Sequence, residues 1–326
     1  MGKGCALGKL KSKTRVLITG GFGYLGGRVA QFLYGSGFQV ALGTRYKCSP
    51  PDWLPEADVV ELIWDDENAL VEACSEVDTV IHAAGMNAQH CADNPVAALA
   101  FNGVATARLV QASIRCGVSK FIYFSTAHVY CSPLIGTINE RSCPRNLHPY
   151  ATSHLAGEHA LLSAMQGDNG LTGIVLRLSN VIGRPASIDT DCWNLLVNDL
   201  CKEAIVKQVT TIRGNPNDFR DFVSMSTLAK VCSCLIENHL SPGSQLHNIG
   251  SGQAVTIRQM AEMISERAKI QFGHSPELRV ANPTSDVSTR LSYITTPFTC
   301  AFLGDEWAAL AEEIDNLLQF CKMNFG

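Results

Sequence analysis

The sequence contains no apolar run long enough to span a bilayer and no apolar stretch of the kind that directs secretion. It also carries little charge: 17% of the 326 residues are charged, and 26 basic against 30 acidic residues leave a net charge of −4. Nothing in this balance suggests the strongly basic surface that nucleic acid or an anionic membrane attracts. We therefore expect a cytoplasmic protein with neither a nucleic-acid nor a membrane partner.

Paired cysteine motifs are absent as well. The 13 cysteines are scattered over the chain, none in a Cys-x-x-Cys pair, and no cluster has the ligand spacing of a zinc site. This pattern predicts reduced thiols and no metal site. Residues 1–13, rich in lysine and glycine, are expected to form a flexible leader.

The chain does contain a glycine-rich turn between a predicted strand and a predicted helix. The apolar run at 16–18 leads into closely spaced glycines, and an amphipathic helix pattern follows. Glycines at such a turn let the backbone approach a pyrophosphate, and the helix N-terminus holds its charge. The turn predicts a dinucleotide site at Gly20, Gly23, Tyr24, Leu25 and Gly26.

Short β-rich runs alternate with helical stretches, in a chain whose 46% hydrophobic residues suffice for a large core. Strands are expected at 15–19, 39–44, 59–63, 79–83, 120–125 and 172–178, and long helices at 94–116 and 150–165. The alternation predicts an α/β fold with a doubly wound parallel sheet. Residues 14–183 would form the dinucleotide-binding domain, with 222–250 returning to it, and 184–221 and 251–326 a smaller C-terminal substrate-binding lobe.

Small residues end the fourth predicted strand. Ala83 and Ala84 would let a nicotinamide ribose lie close to the backbone, although they would equally suit a tight strand-to-loop turn. Asn102, in the next helical pattern, could tie that loop to neighbouring backbone or lie on the surface. All three are candidate coenzyme-binding residues.

Two hydroxyl residues, Ser125 and Thr126, end the fifth predicted strand. Further along, Pro149 places Tyr150 in the first turn of a helix, where Tyr150 and His154 share one face. Hydride transfer at a carbinol carbon needs a group that takes or gives the hydroxyl proton. Tyr150 is the candidate acid/base residue, with Thr126, or as second choice Ser125, bonding the reacting oxygen.

Five motifs in this order resemble those of extended short-chain dehydrogenases/reductases of the sugar-nucleotide epimerase/dehydratase type. They are Thr-Gly-x-x-Gly-x-x-Gly at 19–26, Ser-Thr-x-x-Val-Tyr at 125–130, Leu-Arg-Leu-Ser-Asn-Val-Ile-Gly at 176–183, Arg-Asp-Phe-Val at 220–223 and Asn-x-Gly-x-Gly at 248–252. The resemblance covers nearly the whole chain from about residue 15. It implies a Rossmann fold, a nicotinamide coenzyme, a nucleoside-diphosphate sugar as substrate, a substrate contact by Asn180, a diphosphate contact by Arg220, and a homodimer.

The sequence departs from that family at the lysine of its Tyr-x-x-x-Lys motif, where His154 stands. The resemblance implies that this lysine lowers the tyrosine pKa from about 10 and holds the nicotinamide ribose, whereas histidine, with a pKa of about 6.5, is only a part-time cation. Three interpretations stay open. His154 orients the ribose and assists weakly, or a high-pKa tyrosine acts as an acid and favours reduction, or the site is catalytically silent.

A second departure follows Thr126. Sugar-nucleotide 4,6-dehydratases carry Asp-Glu there, and this chain has Ala127 and His128, which argues against dehydration. His128 is either an extra proton carrier on the substrate side or a loop histidine.

The end of the second predicted strand bears on the coenzyme. It reads Gly-Thr-Arg, with no acid for the ribose 2′-hydroxyl of NAD. Arg45 could pair with a 2′-phosphate, so NADP is favoured over NAD, although Arg45 also suits a surface position.

We therefore expect an NAD(P)-dependent nucleotide-sugar epimerase or reductase that transfers a hydride reversibly at a sugar carbinol carbon, with C4 as the expected position. Two alternatives remain. One is a catalytically weak or silent NAD(P)-binding protein, as His154 suggests, and the other is a reductase of a non-sugar ketone.

Overall fold

The computed structural model describes residues 14–167, 169–238, 243–281, 289–295 and 305–326. The expected leader at 1–13 lies outside the described residues. A seven-stranded, all-parallel sheet forms the centre of the fold, with strand order β12-β7-β5-β4-β1-β2-β3. Its strands are β1 (Arg15–Thr19), β2 (Gln39–Thr44), β3 (Asp58–Glu61), β4 (Thr79–His82), β5 (Lys120–Thr126), β7 (Thr172–Leu178) and β12 (Gly243–Ile249).

Four two-stranded pairings accompany the main sheet: β6 with β15, β8 with β11, β9 with β14, and β10 with β13. Their bounds are β6 (Gly136–Ile138), β8 (Asn180–Ile182), β9 (Val209–Ile212), β10 (Phe219–Arg220), β11 (Phe222–Ser224), β13 (Val255–Thr256), β14 (Glu277–Val280) and β15 (Leu291–Tyr293).

Helices connect these strands. They are α1 (Tyr24–Gly35), α2 (Glu67–Ala73), α3 (Ala88–Asp93), α4 (Pro95–Ala98), α5 (Thr106–Arg115), α6 (Pro149–Ala164), α7 (Leu196–Val206), α8 (Met225–Glu237), α9 (Ile257–Phe272) and α10 (Glu306–Phe325). Helix α9 shows how sequence sets these limits, because Thr256 and Gln259 form a capping box at its start and Gly273 ends it in the left-handed conformation.

Alternate residues of the central strands feed two hydrophobic cores on opposite faces of the sheet. Val16 and Ile18 of β1 pack with α1 and α8, whereas Leu17 between them packs with α2, α5 and α6. A third core joins α7, α9 and α10 in the C-terminal lobe. The predicted doubly wound α/β fold is therefore confirmed.

The structure corrects two element predictions. Strand β3 covers Asp58–Glu61 rather than 59–63. The expected helix over 94–116 is three segments: α4, a π-helical stretch at Leu99–Ala105, and α5. The wider π turn places Asn102 in the interior, where residues distant in sequence contact it. The prediction missed this turn because hydrophobic periodicity reports only on neighbours within the same helix.

Candidate active site

The glycine turn is built for close backbone approach. Gly20 has φ +66°, and a Cβ there would lie 2.9 Å from the Cα of Ala84. A Cβ on Gly26 would lie 2.3 Å from the Gly20 carbonyl oxygen. Helix α1 begins after Gly23 without a side-chain cap or an acidic residue in its first turn. Its N-terminal amides therefore suit the pyrophosphate of a dinucleotide.

The next two candidates on this helix are engaged with the protein. The Tyr24 hydroxyl donates to the carbonyl oxygen of Gly183 at 2.7 Å and accepts from the Gly183 N–H at 3.0 Å. Leu25 packs against the core between α1 and the sheet. The structure thus gives Tyr24 a fixed role in joining α1 to the strand that leads into the C-terminal lobe.

A cavity of about 500 Å³ opens beside the glycine turn. The Phe22 ring, which lines it, meets the Trp53 ring edge-on at 6.0 Å between centroids. Segments 51–53 and 186–190 supply the rest of its lining. No sequence pattern pointed to this cavity, because Trp53 lies in an irregular stretch far from the turn along the chain.

The loop after β4 is tied down by buried polar contacts. The Ala84 N–H donates to the Thr19 hydroxyl at 3.2 Å, and the Met86 N–H donates to the Asn102 side-chain oxygen at 2.9 Å. Asn102 is only 2% exposed, and its amide nitrogen donates to the Ser153 hydroxyl at 3.0 Å. Of the two interpretations of Asn102, the structure supports the tie to neighbouring backbone. Ala83, the other predicted residue, is half-buried beside Ala84.

Thr126 and Tyr150 lie together at the carboxyl end of the sheet. Thr126 ends β5 and accepts from the His128 N–H at 3.1 Å. Tyr150 is the second residue of α6, where the His148 side chain caps the helix by accepting the Tyr150 N–H. Burial raises the pKa of the Tyr150 phenol, and a hydrogen bond with the Thr126 side chain lowers it in part. The phenol therefore stays protonated at neutral pH.

His154 lies one turn below Tyr150 and is 6% exposed. The two rings meet edge-on with 4.6 Å between centroids, and the His154 Nδ1 lies 3.0 Å from the Tyr123 hydroxyl oxygen. Burial lowers the pKa of His154 to about 4. At neutral pH its imidazole is uncharged, so His154 supplies no positive charge to Tyr150.

Ser125 faces away from Thr126 and into a buried ion pair. Its hydroxyl donates to the Glu158 carboxylate, which also accepts from Arg177 at 2.6 Å. The Arg177 guanidinium in turn covers the Tyr130 ring at 4.7 Å from its centroid. Ser125 is thus committed to this network, which leaves Thr126 as the hydroxyl beside Tyr150. Sequence reasoning missed Glu158, although its spacing of four residues from His154 was a signal for a shared helix face.

The substrate-side candidates group around His128. Burial, followed by the nearby Arg220 and His148, lowers the pKa of His128 to about 4. Arg220 is half-buried in β10, where burial lowers its pKa and Asp218 opposes that shift. Asn180 starts β8, and its side-chain amide donates to the Asp221 carbonyl oxygen at 2.8 Å. Arg220 therefore places a positive charge near His128, where it could pair with an anionic ligand.

Arg45 follows β2 on the surface, with its guanidinium 5.7 Å from the Tyr46 ring centroid. Buried Leu62 packs onto Gly43, whereas Glu61 of β3 lies opposite Thr44 in the sheet register, so one carboxylate stands near the end of β2.

Two absences apply to the described part of the chain. No group of three or more potential metal ligands occurs there. None of its helices is long and apolar enough to cross a membrane.

The structure combines a doubly wound sheet with a glycine turn and a tyrosine–threonine pair at one sheet edge, and comparison with known proteins identifies its family. Residues 16–250 match the model of the NAD dependent epimerase/dehydratase family, so the chain belongs to that family. The resemblance inferred from the motifs is confirmed.

Curated relatives carry more than one activity. The chain is 27% identical over 270 residues to a UDP-glucose 4-epimerase of Azospirillum brasilense, covering 77% of each chain. It is 25% identical over 280 residues to UDP-glucuronic acid decarboxylase 1 of Arabidopsis thaliana, covering 78% of this chain and 59% of that protein. The family is thus settled, while its members differ in reaction.

Solved structures agree with the fold. The UDP-glucose 4-epimerase of Bifidobacterium longum, solved with NAD+ and UDP, superposes with a TM-score of 0.78 at 21% identity and covers 95% of this chain and 99% of its own. At this identity the likeness speaks for the fold alone.

Proposed function

We propose that this protein is an NAD(P)-dependent nucleotide-sugar epimerase or reductase, with reversible hydride transfer at a sugar carbinol carbon, C4 in the first instance. The observation that carries the proposal is the Tyr150 phenol beside the Thr126 side chain at the carboxyl end of β5. Ligands of open parallel sheets bind at this edge, which the glycine turn shares.

The coenzyme would lie across the glycine turn. The amides of Gly23 and Gly26 would hold the pyrophosphate, and the small Ala83 and Ala84 would admit the nicotinamide ribose. Asn102 contributes by fixing the loop that carries these alanines. When bound, the coenzyme supplies the hydride or accepts it.

Arg45 would select NADP by pairing with its 2′-phosphate. Calorimetric titration of Arg45→Ala should show weaker binding of NADP and unchanged binding of NAD. Arg279→Ala, which removes an exposed arginine elsewhere, should alter neither. Equal affinity of the unmodified protein for both coenzymes would remove Arg45 from this role.

Tyr150 moves the proton. In reduction, its O–H donates to the substrate carbonyl oxygen as the hydride reaches the carbon, while Thr126 bonds the same oxygen. In oxidation, the phenolate form takes the hydroxyl proton. Because burial raises the pKa of Tyr150 and His154 is uncharged, the protonated form prevails at neutral pH, which favours the reductive direction.

The substrate would be a nucleoside-diphosphate sugar, as with the epimerases to which the chain is similar. Arg220 would pair with its diphosphate, with Asn180 and His128 shaping the sugar pocket. We infer that 4,6-dehydration is not the reaction, because a buried Ala127 and His128 follow Thr126 and no carboxylate stands there.

The test is Tyr150→Phe, assayed by nicotinamide absorbance with a panel of nucleotide sugars. Hydride transfer should be lost while the coenzyme still binds, and Tyr34→Phe on the exposed side of α1 should behave as the unmodified protein. Unchanged turnover in Tyr150→Phe would remove Tyr150 from the mechanism. An epimerase should keep its coenzyme through purification, whereas a reductase should exchange it.

A second candidate function is coenzyme binding without turnover, favoured by the uncharged His154. Tight coenzyme binding with no reaction across the sugar panel and a panel of simple ketones would support it. Reduction of a ketone alone would instead indicate a non-sugar substrate.

We also propose a homodimer formed through α4 and the π-helical stretch that follows it. Val96, Leu99 and Val104 expose apolar side chains there, at 80%, 51% and 49% of their full accessibility. Analytical ultracentrifugation should give the mass of two chains, and Val104→Asp should shift it toward one.

A further inference from the structure

The imidazole of His154 is hydrogen-bonded at one edge and lies beside Gly85 at the other. On one edge, Nδ1 lies 3.0 Å from the hydroxyl oxygen of Tyr123. On the other, a Cβ built on Gly85 would lie 3.4 Å from Cε1 and 3.6 Å from Nε2. Gly85 follows the loop proposed to meet the nicotinamide ribose, so Nε2 lies on the coenzyme side of the ring.

Tyr123 is itself fixed from behind. Its ring is 1% exposed and stacks on His82, with 5.5 Å between centroids and 24° between planes. The His82 ring nitrogens contact the hydroxyls of Thr19 at 2.6 Å and Thr106 at 2.9 Å. The tyrosine hydroxyl therefore cannot turn away from His154 without disturbing a packed layer.

The groups at the two ends of this layer determine which partner donates in each hydrogen bond. The Thr106 hydroxyl donates to the Asn102 carbonyl oxygen at 2.8 Å, so it can only accept from His82 Nε2–H. His82 Nδ1 then accepts from Thr19, whose oxygen accepts the Ala84 N–H. Burial lowers the pKa of His82 to about 3, which keeps this single tautomer neutral.

We propose that Tyr123 is a positioning residue: it donates its hydroxyl proton to His154 Nδ1 and so holds His154 as the neutral Nε2–H tautomer, facing the coenzyme. The Tyr123 hydroxyl has two other contacts. The Thr106 hydroxyl already accepts from His82, and the His154 carbonyl oxygen lies farther away at 3.4 Å and belongs to the helix backbone ladder. This inference rests on the proposed function for what Nε2–H meets, namely the nicotinamide ribose.

In the family, the lysine at this position holds the nicotinamide ribose and lowers the pKa of the tyrosine. His154 could take over only the first of these tasks. A neutral N–H can bind a ribose hydroxyl, but it cannot lower the pKa of Tyr150 by charge. The other groups facing this pair are His82 from β4, Tyr123 from β5, Cys91 from α3 and the Thr126 hydroxyl, and none is a cation at neutral pH. Tyr150 is thus left as a proton donor.

The first test needs no activity. In protein labelled with ¹⁵N-histidine, the His154 resonances, assigned by their loss in His154→Gln, should show a protonated Nε2 and a bare Nδ1 at neutral pH. Tyr123→Phe, which keeps the ring stacked on His82, should lose that single pattern, while Tyr293→Phe, a buried tyrosine that donates to the Arg177 carbonyl, should keep it. An Nδ1–H or doubly protonated His154 in the unmodified protein, or an unchanged pattern in Tyr123→Phe, would overturn the proposal.

The second test separates the two tasks. Tyr123→Phe should weaken coenzyme binding several-fold by calorimetry. His154→Lys should restore the charge and move the pH at which oxidation is half-maximal downward by at least about one unit. An unmoved pH profile in an active His154→Lys, or unchanged coenzyme affinity in Tyr123→Phe, would contradict the proposed role. If the unmodified protein binds no coenzyme, the proposed function fails, whereas the tautomer measurement still decides the role of Tyr123.

Discussion

Helix α6 carries two buried ionisable side chains one turn apart, and their surroundings differ. His154 is enclosed by aromatic rings and is uncharged at neutral pH. Glu158 is 0% exposed and pairs with Arg177 through bonds from both Nε and Nη2. The comparison shows that burial alone does not decide how an ionisable group is held: His154 meets aromatic rings, whereas a bidentate guanidinium and a hydroxyl complete the hydrogen bonds of Glu158.

The comparison also locates the positive charge of this region. Arg177 lies next to the active site, but Glu158 and the Tyr130 ring occupy its guanidinium. The cation that is absent at position 154 is therefore not replaced by Arg177, which lies on β7 and is already paired with Glu158.

Removing the carboxylate of the Glu158–Arg177 ion pair should have the largest effect on the free energy of unfolding. Glu158→Gln leaves the Arg177 guanidinium buried without its counter-ion, and the free energy of unfolding in urea should fall by about 3–5 kcal/mol. The matched control is Arg279→Ala, which removes an exposed ion pair with Glu277 and should leave the unfolding midpoint where it is. A Glu158→Gln protein as stable as the parent would show that the pair contributes little.

The buried, uncharged histidines should make the stability of the fold sensitive to acid. Burial lowers the folded-state pKa of His154 to about 4 and that of His82 to about 3, so below the unfolded-state value of about 6.5 the unfolded chain binds protons more readily. The contribution of these two histidines to the free energy of unfolding is therefore fully present above pH of about 6.5. As the pH is lowered to about 5, each histidine loses about 2 kcal/mol of that contribution.

Asp221 opposes this trend, because burial raises its pKa to about 6 and its contribution grows as pH falls. The measurement is therefore a difference: His154→Gln should lose less stability than the parent between near-neutral pH and a pH of about 5, in urea unfolding at both values. Equal losses in the two proteins would mean that His154 titrates in the folded state.

The smallest stability effect should come from the two adjacent hydroxyls at the end of β5. Ser125→Ala removes one hydrogen bond to a carboxylate that keeps Arg177, and should cost about 1 kcal/mol. Thr126→Val should instead reduce kcat by about 100-fold, as expected for a lost donor to a reacting oxygen. A reversed assignment, with activity lost in Ser125→Ala and kept in Thr126→Val, would exchange their roles.

Local pattern was enough for most strands of the sheet, for the glycine turn and for α6, but not for β12 or for the bounds of β3. Strands β1, β2 and β7 match their predicted residues, because alternating apolar runs and turn residues act over a few positions. The resemblance in motifs gave the family, which the match over 16–250 confirms.

Local sequence pattern could not predict contacts between residues that are far apart along the chain. Tyr123 and His154 lie 31 residues apart, and Tyr24 and Gly183 lie 159 apart. Whether a histidine is charged depends on such neighbours, so the sequence left three interpretations of His154 open. In the structure, His154 is uncharged at neutral pH, so all three interpretations must be judged for a neutral imidazole.

The bond between Tyr24 and Gly183 has a mechanical consequence. One phenol oxygen clamps both backbone groups of residue 183, so the chain cannot flex there while α1 stays in place. The start of the first helix and the backbone that follows β8 are therefore held at a fixed separation by a single side chain.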